Sequence, residues 1–140
     1  MNKVIKNKKG ITLVELLAVI VIMAIITAIA VPLIGNLITS TRESAAAADG
    51  NTVYASLRLY ALENSDITVS FDFTGDDTTK ATALTSLTAA IGPYISVVPT
   101  SITGITFSVV ETKVTVTAAA GAEINGYAVA WLNNAFVRPE

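Results

Sequence analysis

The sequence predicts an α+β fold in which a long N-terminal helix packs on a small antiparallel sheet. Residues 11–34 form a run of 24 residues whose only charge is Glu15, and apolar residues continue at helical spacing to residue 63. From residue 105 onward, apolar residues recur at every second position, which is the period of a half-buried strand. The helix is therefore expected to have an apolar first half and an amphipathic second half.

The apolar run is long enough to cross a membrane. A helix of 24 residues spans about 36 Å, and the hydrocarbon core of a bilayer is about 30 Å thick. Lys3, Lys6, Lys8 and Lys9 precede the run, and no basic residue follows it before Arg42. The positive-inside rule then predicts a single pass, with the N-terminus in the cytoplasm and the chain after about residue 35 outside.

Three interpretations of this N-terminus compete. A plain signal anchor would remain uncut, and an ordinary secretory signal peptide would be cut after Ala28-Ile29-Ala30, which has the small-x-small pattern. The third places the cut at Gly10, before the run. Glu15 favours the third, because an acidic residue costs up to about 3 kcal/mol at the centre of a membrane helix and the first two give it no role.

The stretch KKGITLVELL, residues 8–17, carries a family pattern. A short basic leader ends in Gly10, a hydrophobic residue follows, and T-L-x-E-L then contains Glu15. This resembles the N-terminus of type IV pilins and pseudopilins, over about residues 1–40. Ile11 departs from the pattern, since such proteins most often have phenylalanine there. The lysine-rich leader and the lack of a cysteine pair are similar to pilins of Gram-positive bacteria.

The resemblance implies how this N-terminus is processed. A membrane aspartyl prepilin peptidase would cut between Gly10 and Ile11, remove the leader 1–10 and N-methylate Ile11. Residues 11–35 would then be the transmembrane segment and later the filament core. Glu15 would pair with the new Ile11 amine of a neighbouring subunit and set the register of assembly.

Pro32 and Gly35 predict a break in the long helix. Proline removes a backbone hydrogen bond and kinks or loosens a helix. The alternative is that both residues simply mark the end of the membrane span. The resemblance implies that the segment before Pro32 is locally unwound in the filament.

The rest of the chain divides into an amphipathic half-helix, 36–63, and a globular headpiece, 64–140. Within the helix, Asp49-Gly50-Asn51 predicts a weak point, and Asn64-Ser65-Asp66 is expected to end it. The headpiece elements predicted next are a strand at 67–73, a turn at 74–79 and a short helix at 80–91 that stops at Gly92-Pro93.

An antiparallel sheet is predicted for the C-terminal part. Residues 105–110 and 113–118 flank Glu111-Thr112 and so predict a β-hairpin. A third strand is expected at 127–132, after the turn at Asn125-Gly126.

Two groups of residues are candidate sites. Asp72, Asp76 and Asp77 form an acidic cluster with oxygen ligands that suit calcium, although a solvated turn is the favoured interpretation. Five aromatic residues are either surface groups for adhesion or, as their spacing favours, part of the core, with Trp131 the main wedge between helix and sheet. They are Tyr54, Tyr60, Tyr94, Tyr127 and Trp131.

Composition argues against several functions. The chain has no histidine and no cysteine, so the common metal sites and most nucleophile–base pairs are absent, and we expect neither an enzyme nor a cofactor. Residues 11–140 contain five basic and eleven acidic residues, a formal charge of −6. Direct binding of nucleic acid is therefore not expected.

The sequence thus predicts a structural assembly protein. The resemblance implies the major subunit of a type IV pilus, a helical homo-oligomer built by an assembly platform and an ATPase, and displayed outside the cell for adhesion, motility or related tasks. A type II secretion pseudopilin and a competence pilin remain alternatives within the family. A membrane-anchored or secreted binding module with an ordinary signal is the alternative from another class.

Overall fold

The computed structural model of the chain describes residues 11–139. They form two compact units, one that ends at Ile38 and one that begins at Thr39, here called the stem (residues 11–38) and the globular unit (residues 39–139). In chain order the elements are α1 (Leu13–Glu63), β1 (Thr68–Asp72), α2 (Asp77–Ile91), a 3-10 turn (Gly92–Tyr94), β2 (Ile102–Val110), β3 (Lys113–Ile124), β4 (Tyr127–Ala128), β5 (Ala130–Leu132) and β6 (Ala135–Val137).

The long helix is confirmed. α1 has 51 residues and ends where Asn64 follows it, with the backbone N–H of Asn64 donating to Tyr60. It continues through Pro32 and Gly35, so the helix does not end at either residue in the isolated chain. The local unwinding expected on assembly therefore stays a prediction.

Gly50 is not the weak point that its sequence context predicts. The helix runs through Asp49-Gly50-Asn51, and Gly50 is buried. A Cβ atom at this position would lie 2.6 Å from Cδ1 of Ile124 and 2.7 Å from Cδ2 of Phe136. Gly50 therefore allows the C-terminal strands to approach the helix backbone, and packing outweighs its poor helix propensity.

The sheet lies in the globular unit and is antiparallel. Four strands follow the order β1-β2-β3-β4, and β5 pairs with β6 in a separate two-stranded sheet. The Glu111-Thr112 hairpin is confirmed, because Val110 pairs with Lys113 and the register continues back to Ile105 opposite Ala118. Together with α1, this is the α+β pilin-like fold that the sequence predicts.

The prediction of a single third strand at 127–132 is wrong, because this segment forms two short strands, β4 and β5. The turn at Asn125 and Gly126 has positive φ angles of 53° and 77°, as a two-residue hairpin requires. The strand beyond it breaks at Val129, whose N–H donates to the carbonyl of Ala122, and the chain then leaves β4 for the second sheet. β3 also runs six residues beyond the predicted end, through an alanine- and glycine-rich stretch without alternation.

The hydrophobic core lies wholly within the globular unit. The largest fully buried side chains come from α1, from α2, from the four-stranded sheet and from the residue that follows β1: Phe73, Phe107, Leu57, Leu87, Ile91, Ile105, Ile124, Val53 and Val109. Trp131 is only partly buried and packs against this core from outside. The prediction that Trp131 is the main wedge between helix and sheet is therefore wrong, because fully buried side chains such as Leu57 and Phe107 form the core there.

Candidate functional site

The N-terminus of α1 is capped by the side chains of Thr12 and Glu15, each of which bonds the backbone N–H of the other. The Thr12 hydroxyl oxygen accepts a hydrogen bond from the backbone N–H of Glu15, at 3.3 Å. In return, Oε2 of Glu15 accepts from the backbone N–H of Thr12 at 2.9 Å and from its hydroxyl at 3.0 Å. The Thr12 carbonyl accepts the first helical bond, from Leu16. Thr12 is therefore the N-cap, and the two residues form a capping box.

The capping box gives the Glu15 carboxylate a partner within its own chain. The first N–H groups of a helix lack helical acceptors and carry a partial positive charge, and a carboxylate there is stabilising. Both hydrogen bonds that the Glu15 carboxylate accepts use Oε2, and Oε1 accepts none from residues 11–139. The same carboxylate can therefore hold its cap and still accept a bond from a second molecule.

The bonded Thr12 N–H lies next to Ile11 in the chain, so the carboxylate is directed toward the residue that cleavage would make N-terminal. Ile11 is 78% exposed, which leaves its main chain accessible. Gly10, the other half of the predicted cleavage site, lies outside the described residues. The roles of Gly10, Ile11 and Glu15 in cleavage, methylation and charge pairing stay predictions.

Thr12 is the residue of this candidate site that the sequence analysis does not single out. A threonine followed three residues later by glutamate, just before an apolar run, is the pattern of a capping box. In this chain Thr12 and Glu15 also belong to the T-L-x-E-L family pattern, which implies only an intermolecular partner for the glutamate. The structure adds an intramolecular partner that exists before any assembly.

The stem presents apolar side chains on all sides. Its most hydrophobic window of 18 residues has a mean hydropathy of 3.0, and none of that window is buried. Among residues 11–139, α1 is the helix that is long and apolar enough to cross a membrane, judged by length and composition. A helix that is apolar all round requires an apolar environment, such as lipid or other helices.

The acidic residues of the predicted calcium cluster have separate local roles. Asp76 is the N-cap of α2, and its Oδ1 accepts from the Thr79 hydroxyl at 2.6 Å and from the Thr79 N–H at 2.8 Å. These bonds, hydroxyl first, lower the pKa of Asp76, and the charge of Lys80 acts in the same direction. Asp77 lies 3.4 Å from the Lys80 ammonium.

Asp72 is bound at the other side of the same turn. Its Oδ1 accepts from the Thr74 hydroxyl at 2.6 Å, from the Thr74 N–H at 2.9 Å and from the Thr106 hydroxyl at 3.1 Å. The Thr74 bonds are the main reason that the pKa of Asp72 is lowered. Within residues 11–139 no three acidic side chains are grouped so that they could hold a metal ion. The structure therefore gives the calcium alternative no support.

The five candidate aromatic residues are all partly buried. Trp131 contacts Tyr54 edge to face, with ring centroids 5.0 Å apart. Tyr127 accepts a hydrogen bond from Arg42 at 2.7 Å, and Tyr94 donates to the Glu63 carboxylate. Tyr60 accepts from Asn64 through its backbone carbonyl. These five aromatic residues therefore belong neither to the fully buried core nor to the fully exposed surface, and lie at the boundary between the two.

Comparison with known proteins identifies the N-terminal segment. Residues 5–31 match the family described as the prokaryotic N-terminal methylation motif. The match includes the predicted cleavage site, the capping box and most of the stem. Searches of curated proteins and of solved structures returned no match.

Proposed function

We propose that this chain, which carries the prokaryotic N-terminal methylation motif, is the major structural subunit of a type IV pilus. The motif supports a type IV pilin-like or pseudopilin protein, whose class of signal implies processing by a prepilin peptidase and assembly by pilus-type machinery. The assignment to a pilus, and to its abundant subunit, is the proposal. Its role is structural, with no enzymatic activity.

One observation supports the proposal most strongly: the matched motif, residues 5–31, includes the first part of an unburied apolar helix. The stem fits a membrane-anchored precursor, since its side chains have no covering in the single chain. The same side chains would pack against neighbouring stems once the subunit leaves the lipid. A single helix can therefore serve as membrane anchor first and as filament core afterwards.

The globular unit is compatible with a subunit that is displayed in many copies. It has its own core, in which buried residues come from α1, α2 and both sheets. A subunit that is displayed in many copies outside the cell needs a stable, water-exposed domain, and the acidic balance of residues 11–140 keeps such copies soluble. A pseudopilin or a competence pilin would also carry such a unit, so the type of filament must be tested directly.

The first experiment determines the mature N-terminus. Intact-mass and N-terminal analysis of protein extracted from the producing cell is expected to find Ile11, carrying one added methyl group, as the first residue. A mature N-terminus at Val31 would identify a conventional signal peptide, and an intact Met1 would identify a plain anchor. Either result would contradict the proposal.

The second experiment looks for the filament. Material sheared from the cell surface is expected to contain fibres by electron microscopy, with this chain as their main protein. A processed chain that remains in short, cell-associated assemblies would instead favour the secretion pseudopilin. Loss of DNA uptake without loss of surface fibres on deletion would favour the competence pilin.

A further inference from the structure

The four-stranded sheet of the globular unit has two open edges. β1 is the end strand on one side, and among residues 11–139 no strand pairs with its other edge. On the opposite side of the sheet, β4 pairs with β3 only at Glu123 and Ile124, which leaves the edge of β3 from Lys113 to Ala118 without a neighbouring strand in the described chain. Open edges of this kind are templates on which another chain can pair.

The hydrogen bonds of β1 show which of its main-chain groups are open. The N–H of Glu111 donates to the carbonyl of Ile67, and the N–H of Phe73 donates to the carbonyl of Ile105, so residues 67 and 73 bond toward β2. Main-chain groups of successive residues point to opposite edges of a strand. The N–H and C=O of Ser70, halfway along β1, therefore point away from β2.

The same alternation applies to β3. Lys113 pairs with Val110 across a two-residue turn, and the residues that flank such a turn bond each other through their main chains. Thr115, two residues further on, therefore also bonds toward β2. The main-chain groups of Val114 and Val116 point toward the open edge.

Each open edge borders an open groove beside a helix. A groove of about 400 Å³ lies between β1 and α2, and one of about 560 Å³ lies between β3 and α1. Neither helix therefore covers the strand edge next to it. The linings combine residues of strand and helix: Ser70, Asp72, Thr82 and Ser86 in the first groove, and Val114, Val116, Tyr54 and Arg58 in the second.

We propose that neighbouring copies of this chain join β1 of one copy to β3 of the next, so that the sheet continues from one globular unit to another. The inference rests on the proposed function, because a contact between two different edges is heterologous and generates an open helical assembly. All copies in such an assembly share one polarity. Since β1 and β3 are both antiparallel to β2, the joined strands run parallel.

A parallel pairing fits the open main-chain groups of both strands. With Ser70 of one copy opposite Thr115 of the next, the Ser70 N–H donates to the carbonyl of Val114, and the Val116 N–H donates to the carbonyl of Ser70. Ser70 and Thr115 are both exposed, whereas Val114 and Val116 pack against the core. The polar outer face of the sheet and its apolar inner face therefore both continue across the contact.

Charge favours the pairing of unlike edges. Asp66 precedes β1 and Asp72 ends it, and both are exposed. The β3 edge has Lys113 on the outer face and Arg58 beside it on the inner side, and neither cation forms an ion pair within residues 11–139. Glu111, in the turn before β3, offsets part of this positive charge. Two β1 edges would bring carboxylates together, and two β3 edges would bring cations together.

Introduced cysteines test the contact, because the chain has none of its own. Cells that produce the full chain with Ser70→Cys and Thr115→Cys are treated with a mild oxidant, and the protein is separated by non-reducing electrophoresis. We expect a ladder of covalent oligomers of three or more copies, since each copy meets a different neighbour at each edge. Within one copy the two positions are two strands apart, about 9–10 Å, which is too far for a disulfide.

Matched variants identify which edges meet. Ser70→Cys alone and Thr115→Cys alone are each expected to stay monomeric, and dimers from either would show that like edges meet and would overturn the proposal. Thr88→Cys with Thr115→Cys is the control pair, because Thr88 is exposed on α2 outside the groove, and no ladder is expected from it. Ser70→Cys with Thr117→Cys tests a register shifted by two residues. An unchanged unfolding midpoint in detergent micelles shows that each variant is folded.

Electron microscopy of sheared material from the wild type separates this inference from the pilus function. Fibres without a ladder from either Ser70 pair would overturn the edge contact and leave the pilus proposal intact. A ladder without fibres would support the edge contact and contradict the pilus proposal. The absence of both would contradict both, and a ladder equally strong in the Thr88 control pair would also overturn the edge contact.

Discussion

The side-chain amide of Asn51 bonds both main-chain groups of Phe136. Its Oδ1 accepts from the Phe136 N–H at 2.7 Å, and its Nδ2 donates to the Phe136 carbonyl at 2.9 Å. A residue of the long helix thereby supplies the pair of hydrogen bonds that a neighbouring strand would otherwise give to β6. This bond pair fixes the last strand of the described chain to α1.

Replacement of Asn51 by alanine is expected to lower the free energy of unfolding by about 1–3 kcal/mol, because two partly buried main-chain groups lose their partners. Denaturant unfolding of the full-length protein in detergent micelles measures the change. Asn51→Asp is the informative comparison, since it keeps an acceptor for the Phe136 N–H but loses the donor. Equal stability of wild type and Asn51→Ala would show that water replaces the amide without loss.

Replacement of Gly50 by alanine is expected to destabilise the same contact, although alanine is the better helix former. The new Cβ would lie 2.6 Å from Ile124 and 2.7 Å from Phe136, both within the core. Overpacking costs about 1–3 kcal/mol, which exceeds the gain in helix propensity of about 1 kcal/mol. Denaturant unfolding tests the sign of the change.

Gly35→Ala is the matched control for Gly50→Ala. It lies in the same helix, and an added Cβ there meets no atom within 4 Å. We expect its unfolding midpoint to equal or exceed that of the wild type. A similar loss in both variants would mean that the packing at Gly50 is not responsible.

Local sequence patterns predict the elements whose structure depends on near neighbours. The Glu111-Thr112 and Asn125-Gly126 hairpins and the end of α1 at Glu63 follow from turn residues and periodicity. The turn-like pattern at Gly50 predicts the wrong role, because the packing of this residue depends on Ile124 and Phe136, more than 70 residues away in the sequence. The break at Val129 has a similar origin, since its hydrogen bond to Ala122 lies outside the alternating pattern.

The sequence predicts Glu15 as a candidate site residue but not its hydrogen bonds to Thr12. Glu15 stood out because it is the only charge in an apolar run, which is a signal in the sequence itself. Thr12 was readable from the capping-box pattern, yet its bonds to Glu15 became clear only in the structure.

Low pH is expected to destabilise the fold in part by protonating Asp76, the N-cap of α2. The bonds from Thr79 lower the pKa of Asp76 below its ordinary value of 3.8, so the folded state favours the charged carboxylate. This contribution is fully present above the unfolded pKa and is lost as the pH falls through the lower folded pKa. In urea unfolding, the loss of stability between about pH 6 and pH 3 is therefore expected to be smaller for Asp76→Asn than for wild type.

The asparagine variant is the right comparison because its amide oxygen can still accept the cap bond from Thr79 while it no longer titrates. Asp76→Ala, which removes the acceptor, is expected to be less stable than Asp76→Asn at neutral pH. An acid dependence identical in wild type and Asp76→Asn would show that Asp76 does not contribute to it.

Substitutions of Glu15 can separate its two roles, because glutamine keeps the capping bond and loses the charge. Both Glu15→Ala and Glu15→Gln are expected to be cut normally between Gly10 and Ile11, since the mature N-terminus is set before assembly begins. Both are expected to give few filaments, because neither can form the charge pair with the amine of a neighbouring Ile11. Mass analysis of the N-terminus and the yield of sheared filaments are the two measurements.

Thr12→Ala is the control variant, because it removes the hydroxyl of the cap but keeps the carboxylate. It is expected to assemble better than Glu15→Ala or Glu15→Gln. Normal filament yield from Glu15→Gln would show that the glutamate acts as a helix cap alone and would contradict the intermolecular pair.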